Sequence, residues 1–430
     1  MKTLHLTNAW HASSGGVGTF YKALFEAANR EGHSMSLVVP GDSTRIENAG
    51  EFGRIYYIEA PLAPLDRNYR MLYPYRFLFP GTAIQRIINR ERPGLIEISE
   101  KYSLPYLGGL VRTGRLPGVS VRPVVVGVSH ERMDENVAAW LDDGTAARRF
   151  CHWYMKSIYF PMFDHHITVS EHTAEELIRA SRGHKVRRGI WISPMGVDCE
   201  TFTPRRRSAE GRKTLLRNIG AGEETTILLY VGRLSPEKNG SLLIESMERL
   251  KSSDYRLLIA GAGTQRGEMQ RECERRNIHN VSFLGHIEDR NALADLYANA
   301  DIFVHPNPKE PFGIAPLEAM ASGLALIAPN SGGVTSYATR ENAWLVDADP
   351  DRFACAARFI RSHPATRIEK TILARETACA FGWPAVTSRY LQLYRELIAI
   401  THDRGVASEV PPLSWSTPGD FLGREIPIGH

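Results

Sequence analysis

Short apolar runs of strand type alternate with helical stretches through both halves of this chain, and that alternation restricts the fold to parallel sheets joined by crossover helices. In the first half the runs fall at Thr3–Thr7, Ser36–Val39, Leu95–Ile98, Val124–Val128 and His166–Val169. The pattern restarts at Ile227–Val231, Arg256–Ile259, Val281–Leu284, Asp301–Val304 and Leu324–Ile327. Helical stretches such as Ser241–Leu250 and Asn291–Ala298 lie between runs, and Trp383–Ile400 reads as a final long helix. Between the halves, Pro194-Met195-Gly196-Val197-Asp198, then Phe202-Thr203-Pro204 and Arg205-Arg206-Arg207, form a breaker-rich polar segment. At 430 residues the chain exceeds the size at which one core keeps growing, so two domains are expected. The expected division is 1–195, 196–382, and a closing segment 383–430 that ends in an extended tail broken by Pro411-Pro412, Pro418-Gly419 and Pro427.

Composition excludes several classes. Hydrophobic residues make up 43%, and no stretch approaches the ~20 apolar residues a spanning helix needs. Met1–Thr7 runs directly into a Gly-rich loop rather than a longer apolar leader, so a cytoplasmic location is the expectation. The cysteines Cys151, Cys199, Cys273, Cys355 and Cys379 have no paired spacing, which argues against a zinc site or a disulfide framework. They are expected to be reduced and structural. A net charge of +4 is too small to imply nucleic acid, and Arg187-Arg188 and Arg205-Arg206-Arg207 read as solvated faces.

Ligands of open parallel sheets bind beyond the carboxyl ends of the strands, and the chemically loaded loops here all follow expected strands. After the first comes Ser13-Ser14-Gly15-Gly16-Val17-Gly18-Thr19, whose amides suit a diphosphate, or simply a tight strand-to-helix turn. After Val124–Val128 comes Ser129-His130-Glu131-Arg132, which sets an ionisable imidazole at a strand end. After Ile227–Val231 comes Gly232-Arg233-Leu234-Ser235-Pro236-Glu237-Lys238, where Arg233 supplies a bidentate fork and Lys238 a point charge for a pyrophosphate. Gly261-Ala262-Gly263 and Gly332-Gly333 follow two further strands and let backbone approach a ligand, although a plain turn explains the Gly261 loop equally. Asp347-Ala348-Asp349 matches a metal-holding Asp-x-Asp pattern but reads as a solvated turn, so no metal is expected.

The densest stretch is His305–Met320, HPNPKEPFGIAPLEAM. Gly313 frees the backbone to turn, Pro316 suits a first helical turn, and Gly323 follows the end, so open amides after Gly313 face an anion. Glu318, placed in that first turn, reads as a ligand for the vicinal hydroxyls of a ribose. Glu310, in the preceding loop, serves another group. The alternatives are a solvated loop charge for Glu310 and a favourable first-turn acid on the helix dipole for Glu318.

Together these residues resemble the nucleotide-sugar glycosyltransferases of the GT-B fold, specifically the retaining family-4 class. Glu310 and Glu318 with Phe312-Gly313 between them match its paired glutamates, and Arg233 with Lys238 its diphosphate-binding pair. Gly15-Gly16 resemble the donor-phosphate loop, and Ser193–Asp198 with Phe202 and Pro204 the segment joining two Rossmann-like domains. The resemblance implies a metal-independent hexosyltransferase that retains anomeric configuration by a front-face displacement, without a covalent nucleophile. It implies that Glu318 holds the ribose, that Glu310 contacts hydroxyls of the transferred sugar, and that Arg233 and Lys238 neutralise the departing diphosphate. His130 matches the family's strand-end histidine, while Gly261, Phe312, Gly313 and Ile314 fall among the donor-binding positions. It also implies a last helix crossing back to the first domain, and a donor site facing the acceptor domain. A serine often stands where Asn307 is, and nothing is drawn from the change.

A non-catalytic nucleotide-sugar-binding or scaffolding protein of the same fold is the alternative, and a dehydrogenase is set aside because no G-x-G-x-x-G follows the first strand. Uridine is favoured over guanosine as the donor base, with base contacts expected from backbone near Gly285-His286-Ile287. The acceptor is a saccharide or lipid-linked hydroxyl. Leu62–Phe79 interleaves arginines with aromatics, among them Arg67, Arg70 and Arg76, and either rests on an anionic membrane at its inner face or packs within the first domain.

Overall fold

The computed structural model describes residues 1–10, 15–63, 69–140, 144–184, 189–252, 254–403 and 424–425. Ser13 and Ser14, Pro64–Asn68 with Arg67, Arg187-Arg188, and Pro411, Pro412, Pro418, Gly419 and Pro427 lie outside them. The chain forms two compact units, Met1–Met195 with Trp383–His430, and Gly196–Gly382.

The first unit is built on β1 (Lys2–Leu6), β2 (Ser34–Gly41), β3 (Arg45–Asn48), β4 (Gly53–Glu59), β5 (Leu95–Ile98), β6 (Val124–Ser129), β7 (His165–Thr168) and β8 (Gly189–Ile192). The second is built on β9 (Thr226–Val231), β10 (Tyr255–Ala260), β11 (Val281–Gly285), β12 (Ile302–Val304), β13 (Ala325–Pro329) and β14 (Trp344–Val346). With β15 (Arg424–Glu425), the sheet orders are β15-β8-β7-β6-β5-β1-β2-β4-β3 and β11-β10-β9-β12-β13-β14. All neighbours pair in parallel except β3 with β4 and β15 with β8. Every position of β5 and β6 is buried, which is why these strands read as continuous apolar runs.

Three departures from the sequence reading concern edges. The hairpin β3–β4 was not expected, because β3, Arg45-Ile46-Glu47-Asn48, is exposed at all positions and carries no core-facing pattern. Neither β8 nor β14 was expected as a strand; each is short, and β14 closes an edge of its sheet. Residues beyond Thr401 are not wholly an extended tail, since the last helix runs to Asp403 and Arg424 pairs with Ile192 in the sheet.

The last helix, Trp383–Asp403, packs on the helix Gly15–Arg30 within the first unit. Phe20 meets Tyr390 at 5.0 Å and Trp383 at 6.4 Å between ring centroids, and Arg395 bonds Glu31 at 2.7 Å. Beneath them lies a buried carboxylate, Glu97 on β5, fully shielded from solvent. Tyr21 donates to it at 2.8 Å, Tyr394 donates to its other oxygen, and His5 Nδ1 lies 3.2 Å away. Burial alone would raise the Glu97 pKa, but His5 and the two phenols outweigh it and hold the group below its ordinary 4.5. One carboxylate thus ties together β1, β5, the first helix and the last.

Removing one partner of such a cluster strands the others in low dielectric, so Glu97→Ala is expected to cost about 3–5 kcal/mol in urea unfolding. Because the folded value lies below 4.5, this contribution is complete above that pH and is lost as pH falls through the folded value. Wild-type and variant stabilities should therefore converge in acid.

Candidate functional site

In the second unit the loops after β9, β10, β12 and β13 pack backbone against backbone. Leu234 donates to Ala262 O at 2.9 Å and Gln265 to Leu234 O at 3.0 Å. A Cβ on Gly261 would stand 1.9 Å from Gly232 O, and one on Gly333 would stand 1.9 Å from Pro311 O. Glycine at these positions is therefore required by loop-on-loop packing, whatever a ligand asks of Gly261. Gly333 also donates to Glu310 O at 2.6 Å, and Ser331 to Pro308 O at 3.0 Å, so the loop after β13 seats the one that carries Glu310.

Glu310 is not a solvated loop charge; its side chain is 13% exposed. Lys238, at the end of the short turn Pro236–Lys238, donates to both its oxygens at 3.0 and 2.8 Å, and Asn307 donates at 3.1 Å. Asn239 fixes the lysine's turn by donating to Pro306 O at 3.1 Å. Burial opposes ionisation of Glu310, yet Lys238, His305 and these hydrogen bonds bring its carboxyl down to about 2. His305 lies buried, its Nε2 without a hydrogen-bond partner among the described residues and 3.9 Å from Glu310, and burial lowers it to about 4. The structure thus joins Lys238 to Glu310, while Arg233 is exposed and makes no ion pair among the described residues.

Past Glu310, Phe312 is buried against Tyr337, with ring centroids 5.1 Å apart, and Tyr337 donates to Gly313 O at 2.6 Å. Gly313 adopts φ 90° and begins the helix Ile314–Ala321, which no side chain caps among the described residues. Its leading amides, from Ile314 onward, are open to an anion. Pro316 occupies the third helical position, and Glu318 lies in the second turn, not the first as expected. A favourable first-turn acid is therefore not its explanation. Tyr297, on the helix Arg290–Asn299, donates to Glu318 at 3.3 Å. Desolvation pushes Glu318 up to about 7, against Arg290 and the Tyr297 bond and helped by Asp198.

Two groups escaped the sequence reading. Asn307 both holds Glu310 and accepts from Lys309 N at 3.0 Å; an Asn in a proline-flanked loop is a readable turn signal. Tyr297 reaches Glu318 across a sheet connection, for which sequence offers no signal. Asp349 caps the helix Pro350–Ser362 by accepting from Arg352 N at 3.0 Å, which gives the Asp-x-Asp stretch a structural use.

In the first unit, His130 follows β6 with both ring nitrogens buried and without a partner among the described residues. Phe20 packs on it at 5.5 Å, and burial lowers its pKa to about 4, leaving a neutral ring that can accept one hydrogen bond and donate another. Gly15 and Gly16 open the helix Gly15–Arg30, with Gly15 at φ 30°. Arg132 is consumed by a charge cluster with Asp134 and Glu175, both at 2.9 Å.

The family model "Glycosyltransferase Family 4" matches residues 14–201, and "Glycosyl transferases group 1" matches residues 211–369. A GDP-mannose-dependent alpha-(1-6)-phosphatidylinositol dimannoside mannosyltransferase of Mycobacterium tuberculosis is 30% identical over 393 residues, 91% of this chain and 95% of its own. A D-inositol 3-phosphate glycosyltransferase of Kribbella flavida is 32% identical over 213 residues, 46% of this chain and 49% of its own. Among solved structures, a sucrose-phosphate synthase from Thermosynechococcus elongatus aligns with a TM-score of 0.73 at 24% identity, covering 93% of this chain and all of that one. Its likeness shows the fold, GT-B. None of these relatives is named as a non-catalytic binder. The uridine preference finds no support, since the Mycobacterium tuberculosis relative is named for GDP-mannose.

The two glutamates should titrate far apart. In protein carrying carbon-13-labelled glutamate, with Glu318→Gln as the assignment control, Glu318 is expected to titrate near 7 and Glu310 to remain ionised throughout the neutral range. Arg290→Gln should move the Glu318 midpoint upward, because that arginine favours the charged form.

Proposed function

The chain belongs to the group 1 and family 4 glycosyltransferases, and we propose that it transfers mannose from GDP-mannose, with retention, to a hydroxyl of a lipid-linked acceptor. The observation that carries the site assignment is Glu310, kept ionised by Lys238 and Asn307 just ahead of an uncapped helix start. An ionised carboxylate only accepts hydrogen bonds, which suits it to the hydroxyls of the transferred sugar. The amides of Gly313 and Ile314, with Arg233 and Lys238, face the diphosphate; Phe312 and Gly261 hold the surrounding loops; Glu318 takes the ribose hydroxyls. In the first unit the neutral His130 offers both ring nitrogens to a sugar hydroxyl, and the Gly15 and Gly16 amides suit a phosphate.

With Glu310 engaged by a lysine and an amide, it is poorly disposed to attack carbon, which favours a front-face course. The bond between the sugar and the diphosphate breaks with its electrons leaving on phosphate oxygen. The acceptor oxygen then bonds to the anomeric carbon on the same face, and its proton passes to the departing phosphate. The GDP-mannose reading rests on the Mycobacterium tuberculosis relative, and so does the lipid-linked acceptor. Thermal shifts should be larger with GDP than with UDP or ADP. Glu310→Gln and Lys238→Ala should each lower mannosyl transfer by at least about 100-fold with the melting profile retained; near-wild-type transfer by both variants would refute the site.

No helix among the described residues is long and apolar enough to cross a membrane. A peripheral contact with an anionic bilayer is supported by exposed aromatics on the first unit. Phe79 is 64% exposed, and the helix Gly144–Tyr154 exposes Phe150 and Trp153 beside Arg148 and Arg149. Of the arginines first singled out, Arg70 is tied to Ala60 O at 2.6 Å and Arg76 lies over the Tyr75 ring. The enzyme should co-sediment with phosphatidylserine-containing vesicles at low salt, and the double variant Phe150→Ser with Trp153→Ser should lose most of that binding. Wild-type protein staying in the supernatant at low salt would end the proposal.

A further inference from the structure

Cys199 and Cys379 are far apart in sequence, yet the second unit brings them together. Val197 N donates to Phe381 O at 2.9 Å, and Val197 and Gly382 form a parallel bridge, so the two segments run side by side. Cys199 begins the turn just after this bridge, and Cys379 is the penultimate residue of the helix Pro364–Ala380. The turn that Cys199 begins packs on that helix, where Arg375, one turn before Cys379, donates to Phe202 O at 3.4 Å; Cys199 is half-buried and Cys379 exposed. Burial and the neighbouring thiol push Cys199 up to about 12, against the pull of Arg375, so the exposed Cys379 is the sulfur that meets a reactant first. Cys151 and Cys273 are buried, which leaves Cys355 as the other exposed thiol.

We propose that Cys199 and Cys379 form a reversible disulfide-forming modification site whose co-reactant is a low-molecular-weight disulfide. The Cys379 thiolate attacks one sulfur of that disulfide and displaces the first small thiolate, leaving a mixed disulfide. The Cys199 sulfur loses its proton to solvent and attacks the Cys379 sulfur, and the second small thiol departs. Two protein thiols are oxidised to one disulfide, and the small disulfide is reduced to two thiols. The chain enters the second unit at Gly196 and leaves it at Gly382, so the bond fastens the unit's first turn to its last helix and closes nearly all of it into one covalent loop. Loops of that length restrict the unfolded chain most, so the oxidised unit unfolds at higher temperature than the reduced one.

Purified full-length enzyme incubated with oxidised glutathione, digested without reduction and mapped by mass spectrometry tests this directly. A peptide joining Cys199 to Cys379 is expected, removed by dithiothreitol, absent from Cys199→Ser and Cys379→Ser, and present in Cys355→Ser. The thermal midpoint of the cross-linked protein should rise by several degrees over the reduced form. Glutathione held on Cys379 with no cross-link, cross-links that require Cys355, or no modification at all would each overturn the proposal.

Discussion

The ion pair between Lys238 and Glu310 sets the terms for everything around it in the second unit. A carboxylate this poorly hydrated stays ionised only if an opposite charge and a hydrogen-bond donor are fixed in place. The lysine is fixed by a short turn anchored through Asn239, and the glutamate by the hydrogen bond from Gly333. Both anchors require loops from different strand ends to touch, one through the Asn239 side chain on Pro306 O and the other backbone to backbone. The glycines at 261, 263, 332 and 333 permit that contact, since a Cβ at any of them would press on a carbonyl oxygen of the adjoining loop. Local packing thus comes before ligand chemistry in explaining why these loops are rich in glycine.

The first unit solves the opposite problem in two ways. Glu97 is a buried charge whose partners are all supplied, by His5, Tyr21 and Tyr394, and it welds the last helix to the sheet. His130, just past the neighbouring strand β6, is a buried imidazole whose nitrogens have no partner among the described residues. Burial keeps that ring neutral, so it can accept one hydrogen bond and donate another. The satisfied carboxylate holds structure, and under the proposed reading the neutral imidazole meets a sugar hydroxyl.

Much of this was legible in the sequence because central parallel strands must be apolar on both faces. Val124–Val128 and Ile227–Val231 announce themselves for that reason, while the exposed β3 and the short β14 do not. Glu310, Lys238 and Glu318 could be singled out because each follows a strand end. Their environments could not be, since Tyr297, Asn307 and Gly333 act through contacts that spacing does not encode. The helix start was misplaced enough to put Glu318 in the wrong turn, because Pro316 is tolerated anywhere among the first few amides and fixes no single position. The adjacency of Cys199 and Cys379 depends on a parallel bridge between distant segments, which no residue pattern signals.

The two glutamates share a side chain and little else. Glu310 lies near 2 because its compensating charge sits in direct contact, whereas Glu318 lies near 7 because Arg290 is too weakly coupled to offset desolvation. Under the proposed reading this difference has a mechanical meaning. Two ribose hydroxyls donating to Glu318 would stabilise its charged form and draw its pKa down, while the nearby diphosphate would push it up. Whether donor binding releases or takes up a proton at neutral pH therefore reports which influence prevails. Glu310 contributes nothing to that exchange, because a carboxyl brought down to about 2 is already ionised at neutral pH. A proton taken up on binding would place the diphosphate close to Glu318, and a proton released would place the hydroxyls there, so calorimetry in buffers of differing ionisation enthalpy distinguishes the two geometries.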